Sequence, residues 1–223
     1  MERIAVEKKV LSANDQLAAR LRERFAAAGT LVLNVISSPG SGKTLLLERT
    51  LERFAAKSGV RVAVVTGDIQ TDNDAQRLSR YGFPVRQITT AGACHLDAAM
   101  VERSLEGWDV AELDLLVIEN VGNLVCPTSY DLGEACKIVL LSVTEGEDKP
   151  LKYPGAFFRS NLMVLNKVDL LPYVAFDVEK AKEYARRIHP GMEIVETSCT
   201  SGEGPDAWMA WIERRLDPRL RSF

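Results

Sequence analysis

Three stretches of the chain carry residue types whose spacing fits phosphate, base and metal chemistry. The first, Ser37-Ser38-Pro39-Gly40-Ser41-Gly42-Lys43-Thr44, has the form of the phosphate-binding pattern G-x-x-x-x-G-K-[ST], with Ser37 where that pattern has its first glycine. Gly40 and Gly42 let the backbone N–H groups of the loop, Ser41 among them, turn toward phosphate oxygens. Lys43 offers a point charge for β- and γ-oxygens, and Thr44 a hydroxyl for Mg²⁺. An altered backbone is expected, if anywhere, at Ser37, because glycine there serves a positive φ.

The second stretch, Asn166-Lys167-Val168-Asp169, follows a strand-like run, and strand carboxyl ends are where open α/β sheets hold ligands. The Asp169 carboxylate accepts two hydrogen bonds from guanine N1–H and its exocyclic amine, a fork that adenine does not present. Alone, such a tetrapeptide is more often a simple turn; joined to the phosphate loop, it reads as selection of GTP or GDP. Thr197-Ser198-Cys199, ahead of Gly202 and Gly204, resembles the last base-contacting loop of GTPases, with Cys199 where alanine is commoner. Asp68 and Glu119 end strand-like runs and are expected to hold Mg²⁺ directly or through water. Glu119-Asn120-Val121-Gly122 has the form of the D-x-x-G switch with glutamate for aspartate, whose extra methylene favours a water-bridged role. Lys43, Asp68 and Glu119 are therefore the residues expected to serve hydrolysis.

The third constellation is Cys94-His95 with Cys126, four residues beyond Gly122. The spacing places Cys94 at the start of a helix, where the positive end favours the thiolate that binds metal. If the sheet brings the two loops together, two thiolates and an imidazole suit Ni²⁺ or Zn²⁺. Three ligands leave a tetrahedral site one short, to be left open or completed by a second subunit. Spacing alone equally allows buried thiols beside an unrelated histidine. Cys136 and Cys199 fall in or at the end of strand-like runs and read as core thiols.

The elements that must position these residues alternate between β and α. An amphipathic helix over 14–25, capped by Ser12 or Asn14, is followed by strand-like runs at 31–36, 60–66, 85–89, 113–118, 136–143, 162–166 and 193–197. Helical segments fall at 43–56, 73–81, 95–105, 178–188 and 206–216, the last with Pro218 beyond it as a stop. The pattern predicts a three-layer α/β P-loop NTPase fold with a mostly parallel sheet, forming one domain over 1–223 with a helical extension at 1–30. Residues 144–160, with Gly146, Pro150, Pro154 and Gly155, read as an irregular switch or partner loop in which Lys149 or Lys152 could assist hydrolysis.

Composition excludes other classes. A formal net charge of -3 gives no electrostatic reason to expect nucleic acid, and no run reaches the roughly 18 apolar residues of a membrane span. Met1-Glu2-Arg3 lacks the start of a signal peptide, so a cytoplasmic protein with its 4 cysteines reduced is expected.

Taken with these motifs, the chain resembles the HypB family, SIMIBI-class P-loop GTPases that assist nickel insertion into [NiFe]-hydrogenase. The likeness runs from the N-terminal helix through 37–44, 67–72, 94–97, 119–127, 149–154, 166–170 and 198–204. It implies a homodimer favoured by GTP, a Ni²⁺ or Zn²⁺ site at Cys94, His95 and Cys126 near the dimer interface, a HypA-type nickel-binding maturation protein as partner, and a hydrogenase large-subunit precursor as recipient. Residues 1–30 hold no cysteine or histidine, so the N-terminal nickel motif of many members is not expected. The urease counterpart, the nearest alternative, has a proline between cysteine and histidine, which this chain lacks. A metal-binding scaffold with structural nucleotide is the other alternative.

Overall fold

Runs of β-branched and apolar residues become the strands of one sheet. The computed structural model describes residues 3–57, 59–68, 73–90, 92–201 and 204–216. Among these, β1 (Leu31–Ser37), β2 (Val62–Asp68), β3 (Val85–Thr89), β4 (Leu115–Gly122), β5 (Cys136–Ser142), β6 (Leu162–Asn166) and β7 (Glu193–Thr197) pair in the order β3-β2-β4-β1-β5-β6-β7. Every pairing is parallel, with Leu31 opposite Leu115 and Ile138 opposite Leu162. Parallel neighbours require crossovers, which is why a helix follows most strands.

Those helices are α1 (Arg3–Ala28), α2 (Lys43–Ala56), α3 (Asn73–Ser79), α4 (Ala98–Ser104), α5 (Cys126–Ser129), α6 (Lys149–Lys152), α7 (Pro154–Phe158), α8 (Val178–Ile188) and α9 (Pro205–Glu213). Alternation along β1 sorts them into two layers. Leu33 and Val35 face Leu47 and Phe54 of α2 and Trp208 and Trp211 of α9. Val32 faces Ala18, Leu21 and Phe25 of α1 and Val101 of α4. Ile36 joins Phe157 of α7 and Ala185 of α8. Strand order reverses at β1, so the loop leaving β1 opens into the crevice where such sheets bind ligands. Among the described residues no helix is long and apolar enough to cross a membrane.

Several boundaries shift from the sequence pattern, β2 to Val62–Asp68 and β4 to Leu115–Gly122 among them, and three further differences bear on the loops around the site. The first helix begins at Arg3, because residues ahead of Asn14 are themselves good helix formers, so Ser12 and Asn14 are interior and neither is its cap. Asn14 is buried and ties loops together instead: its Nδ2 donates to Asp131 O at 2.9 Å and its Oδ1 accepts from Ala98 N at 2.9 Å. The fourth helix begins at Ala98, because Asp97 is the N-cap and accepts from Met100 N at 2.7 Å. Cys94 and His95 therefore lie in the bend ahead of the cap and not in the helix. Finally, 144–160 is largely ordered into α6 and α7, each begun by a proline in its first turn. Pro218, expected as a stop, lies outside the described residues.

Candidate nucleotide and metal site

The phosphate loop joins β1 to α2 through two glycines in the left-handed region, Gly40 at φ 76° and Gly42 at φ 101°. Gly42 is also the N-cap of α2, and a Cβ there would meet Asn166 Nδ2 at 2.6 Å. Ser37 belongs to β1 and is not among the positive-φ residues, so the altered start expected at this position does not arise. Its hydroxyl accepts from Lys43 Nζ at 2.9 Å and donates to Ser38 O at 2.6 Å, parking the lysine across the loop. Burial pushes the Lys43 amine below its ordinary range, against the pull of Glu119.

The acid side of the loop is built by β2 and β4. Strand β4 continues to Gly122, so Glu119 is a strand residue opposite Val35 of β1. Thr44 Oγ1 donates to Glu119 Oε1 at 2.8 Å, while Glu119 Oε2 is buried without a hydrogen-bond partner among the described residues. Burial raises the Glu119 carboxyl to about 7, opposed by Lys43 and by the Thr44 bond. Asp68 ends β2 on the rim of the same cleft, about 410 Å³ in volume, whose walls include Lys43, Thr44, Asp74, Arg77 and Glu119. The Thr44 hydroxyl and the Asp68 and Glu119 carboxyl groups, the latter with its unpartnered buried Oε2, form a hard, oxygen-only donor set that fits Mg²⁺. Of the segment following Asp68, residues 69–72 lie outside the described residues.

Sequence reasoning missed several charged groups here, Asp74, Arg77 and Glu145 among them, of which Arg77 is tied into the cleft wall and Glu145 into the loop. Arg77 of α3 reaches the cleft wall, held by Glu48 at 3.1 and 2.6 Å. Glu145 Oε1 accepts from Ser41 Oγ at 2.6 Å and from Ser142 N at 3.0 Å, tying the phosphate loop to the end of β5. Neither carries a motif, and only the tertiary fold brings them in. Lys149 faces Glu145 at 3.6 Å, whereas Lys152 pairs with Asp148 at the surface.

On the base side, Asn166 Nδ2 donates to Ser41 O at 2.9 Å and Lys167 Nζ to Gly40 O at 2.7 Å, so both brace the phosphate loop from β6. Lys167 adopts φ 64°, turning the chain sharply toward Asp169, whose Oδ1 is buried with no partner among the described residues. Ser198 Oγ accepts from Thr200 N and Ser201 N and shapes the next loop. The Cys199 thiol, pushed up to about 11 by burial, packs into the core and donates to Asn166 Oδ1 at 3.4 Å. Gly202, expected in that loop, lies outside the described residues.

The trio expected to ligate metal does converge. Cys94 Sγ lies 2.8 Å from Cys126 Sγ and 3.9 Å from His95 Nδ1, and all three ligand atoms fall within 4.8 Å of one another. Each is half-buried, at the mouth of a loop rather than in a core. The His95 ring stacks on Tyr130 with centroids 3.8 Å apart, and burial lowers its pKa, favouring the neutral imidazole that ligates metal. Cys136 and Cys199 stand apart from this cluster, packed with the core below α9.

A phosphate loop at a topological switch point, with one buried carboxyl oxygen on each side of it, Glu119 Oε2 and Asp169 Oδ1, lacking a hydrogen-bond partner among the described residues, defines a P-loop nucleotide-binding protein. Residues 31–196 match the family described as CobW/HypB/UreG, nucleotide-binding domain. The chain is 53% identical to the hydrogenase maturation factor HypB of Azotobacter vinelandii, over 98% of this chain and 72% of that protein. It superposes on the HypB crystal structure from Archaeoglobus fulgidus with TM-score 0.85 at 40% identity, covering 92% of this chain and 100% of that one. The structure of Helicobacter pylori HypB in complex with nickel gives TM-score 0.83 at 41% identity, covering 92% and 98%. The chain belongs to the HypB family of hydrogenase maturation factors, within the CobW/HypB/UreG P-loop GTPases.

Proposed function

We propose that this chain is a GTP-hydrolysing nickel metallochaperone of hydrogenase maturation. It binds Mg·GTP at 37–44 and 166–169, dimerises in that state, and carries a nickel ion on Cys94, His95 and Cys126. Hydrolysis to GDP and phosphate then releases the ion toward a HypA-type maturation protein and a hydrogenase large-subunit precursor, in the cytoplasm. Lys43 neutralises phosphate charge, Thr44, Asp68 and Glu119 hold Mg²⁺, and Asp169 reads guanine, with Ser198 and Cys199 shaping the base loop. The same cysteine and histidine set accepts Zn²⁺.

One observation carries this reading: β4, which bears Glu119 in contact with Thr44 of the phosphate loop, runs on to Gly122 and within four residues to the ligand Cys126. A strand end that responds to the γ-phosphate thereby moves a metal ligand.

Equilibrium dialysis of Ni²⁺ with the protein in GDP and in a non-hydrolysable GTP analogue tests it. Weaker nickel binding in GDP is expected, and equal affinity in both states refutes the coupling. Single-turnover GTP hydrolysis by wild type and Lys43→Ala separates a switch from a scaffold: equal rates, or none in either, overturn the enzymatic reading.

A further inference from the structure

On a largely apolar sheet face, where Lys137 of β5 stands in register with Asn34, two amide side chains are fully buried. Val32 and Ile36 flank Asn34 on β1, and Ile118 precedes Asn120 on β4 at the next same-face position, yet Asn34 is 0% and Asn120 1% exposed. Packing alone would be met by aliphatic residues, and a buried amide is costly unless each of its groups is bonded. Here they are. Asn120 Oδ1 accepts from Leu96 N at 3.2 Å and from Val121 N at 3.0 Å, and its Nδ2 donates to Asn34 Oδ1 at 3.2 Å. Asn34 Nδ2 donates in turn to Glu134 Oε1 at 3.1 Å.

The network returns to the metal site. Lys137 Nζ lies 3.3 Å from Glu134 Oε1 and donates to Tyr130 O at 3.2 Å, and Tyr130 is the residue whose ring stacks on His95. Leu96, next in chain to His95, is fixed a second time by its side chain. It packs over Gly67 so closely that a Cβ there would lie 2.8 Å from Leu96 Cγ, and Gly67 directly precedes Asp68. The loop bearing Cys94 and His95 is thus held between the ends of the two strands that carry Asp68 and Glu119.

We propose that Asn120 is a positioning residue that transmits nucleotide state from Glu119 to the Cys94/His95 arm of the metal site. Successive strand residues face opposite ways, so Glu119 points to Thr44 while Asn120 points to Leu96 N, and a shift of this one strand end is felt on both faces. Cys126 receives the same shift through the chain beyond Gly122. The two arms of the site then move together, which displacement of Cys126 alone would not achieve. This inference rests on the nickel-switch reading given above and assigns its wiring.

The test measures Ni²⁺ affinity of the full chain in GDP and in a GTP analogue, for wild type, Asn120→Ser and Asn34→Ser. Serine at 120 is too short to reach Leu96 N, and serine at 34 removes the anchor of Asn120. The wild-type ratio of affinities, expected at about tenfold or more, should collapse toward unity in Asn120→Ser and fall partway in Asn34→Ser, with nucleotide affinity retained in both. A wild type without any ratio overturns the nickel-switch reading itself. A wild-type ratio kept in full by a folded Asn120→Ser overturns only the role of Asn120. In parallel, the Leu96 backbone amide is followed by NMR in metal-free wild type; its chemical shift and exchange protection should differ between the two nucleotides. An identical Leu96 amide in both overturns the proposal, whether or not the serine variants fold.

Discussion

Thr44 Oγ1 and Glu119 Oε1 are joined by a 2.8 Å hydrogen bond between the phosphate loop and β4. The glutamate's length makes the bond possible: an aspartate at 119 would stop one methylene short of the threonine. The longer side chain thus closes directly onto the loop threonine from its strand position. Its second oxygen stays buried and unbonded among the described residues, and burial of the group raises the carboxyl to about 7. Thr44 and Glu119 therefore share one place, and a cation taken up there displaces a proton.

A pH dependence follows with a definite sign. The Glu119 carboxyl rises from its ordinary 4.5 to about 7 on folding, so in metal-free protein its stabilising contribution is fully present below about 4.5 and lost as pH rises through about 7. The amount is roughly 3 kcal/mol, order of magnitude only. Denaturant midpoints measured from about pH 5 to about pH 8 should fall more steeply for wild type than for Glu119→Gln. Affinity for Mg²⁺ with nucleotide should rise over the same range in wild type as the proton leaves. Parallel stability curves for the two proteins would contradict the assignment.

Gly42→Ala tests the tightest point of the phosphate loop. The new methyl group meets Asn166 Nδ2 at 2.6 Å from a residue at φ 101°, so both the backbone and the brace from β6 must yield. A loss of roughly 1 to 3 kcal/mol in stability is expected, with a larger loss in nucleotide affinity because the loop amides turn away from the phosphates. Calorimetry with GDP and thermal unfolding report the two effects separately; unchanged GDP binding would mean that the loop does not hold phosphate in this conformation.

How much of this was legible before the fold depended on how local the cause was. Strands 162–166 and 193–197 and helices 43–56 and 178–188 coincide with the sequence pattern, because alternation, apolar runs and caps within each segment determine them. The phosphate loop was readable from residue type and spacing, whereas the spacing of Cys94, His95 and Cys126 equally allowed unrelated buried thiols, and their convergence is visible only in the fold. The start of α4 was not readable, since Asp97 outcompetes the preceding residues as a cap. Arg77, Glu145 and Asn34 gave no signal, and Asn120 none beyond its place in the switch-like motif, because the bonds to Glu48, Ser41, Glu134 and Asn34 that draw them in span 29 to 104 residues and only the fold closes them. Asparagine in a strand reads as a blemish until its partner on the adjacent strand is seen.

Asp169→Asn should alter base choice rather than merely weaken binding. The carboxylate oxygen Oδ1 is buried and free to accept from guanine, and an amide there offers a donor where an acceptor is needed. A base with a carbonyl in place of the exocyclic amine, as in xanthine, restores the match. Competition binding of GDP against xanthosine diphosphate should favour the guanine nucleotide in wild type and the xanthine nucleotide in the variant. Equal loss of both would show that Asp169 supports the loop and does not read the base.

The four cysteines should divide sharply in metal titrations. Cys94 and Cys126 have their sulfurs 2.8 Å apart beside His95, whereas Cys136 and Cys199 pack with the apolar core and burial raises both of their thiols above the ordinary range. Cys94→Ser, His95→Ala and Cys126→Ser should each lower Ni²⁺ affinity by about 100-fold or more, because each removes one of three ligands. Tyr130→Leu removes the ring stacked on His95 and should lower affinity by about 10-fold without removing a ligand. Cys136→Ser and Cys199→Ala should leave the titration unchanged and act only on stability. In nickel-loaded wild type, the sulfur-to-metal charge-transfer absorption should be carried by Cys94 and Cys126 alone; its persistence in the Cys94→Ser/Cys126→Ser double variant would place the metal elsewhere in the chain.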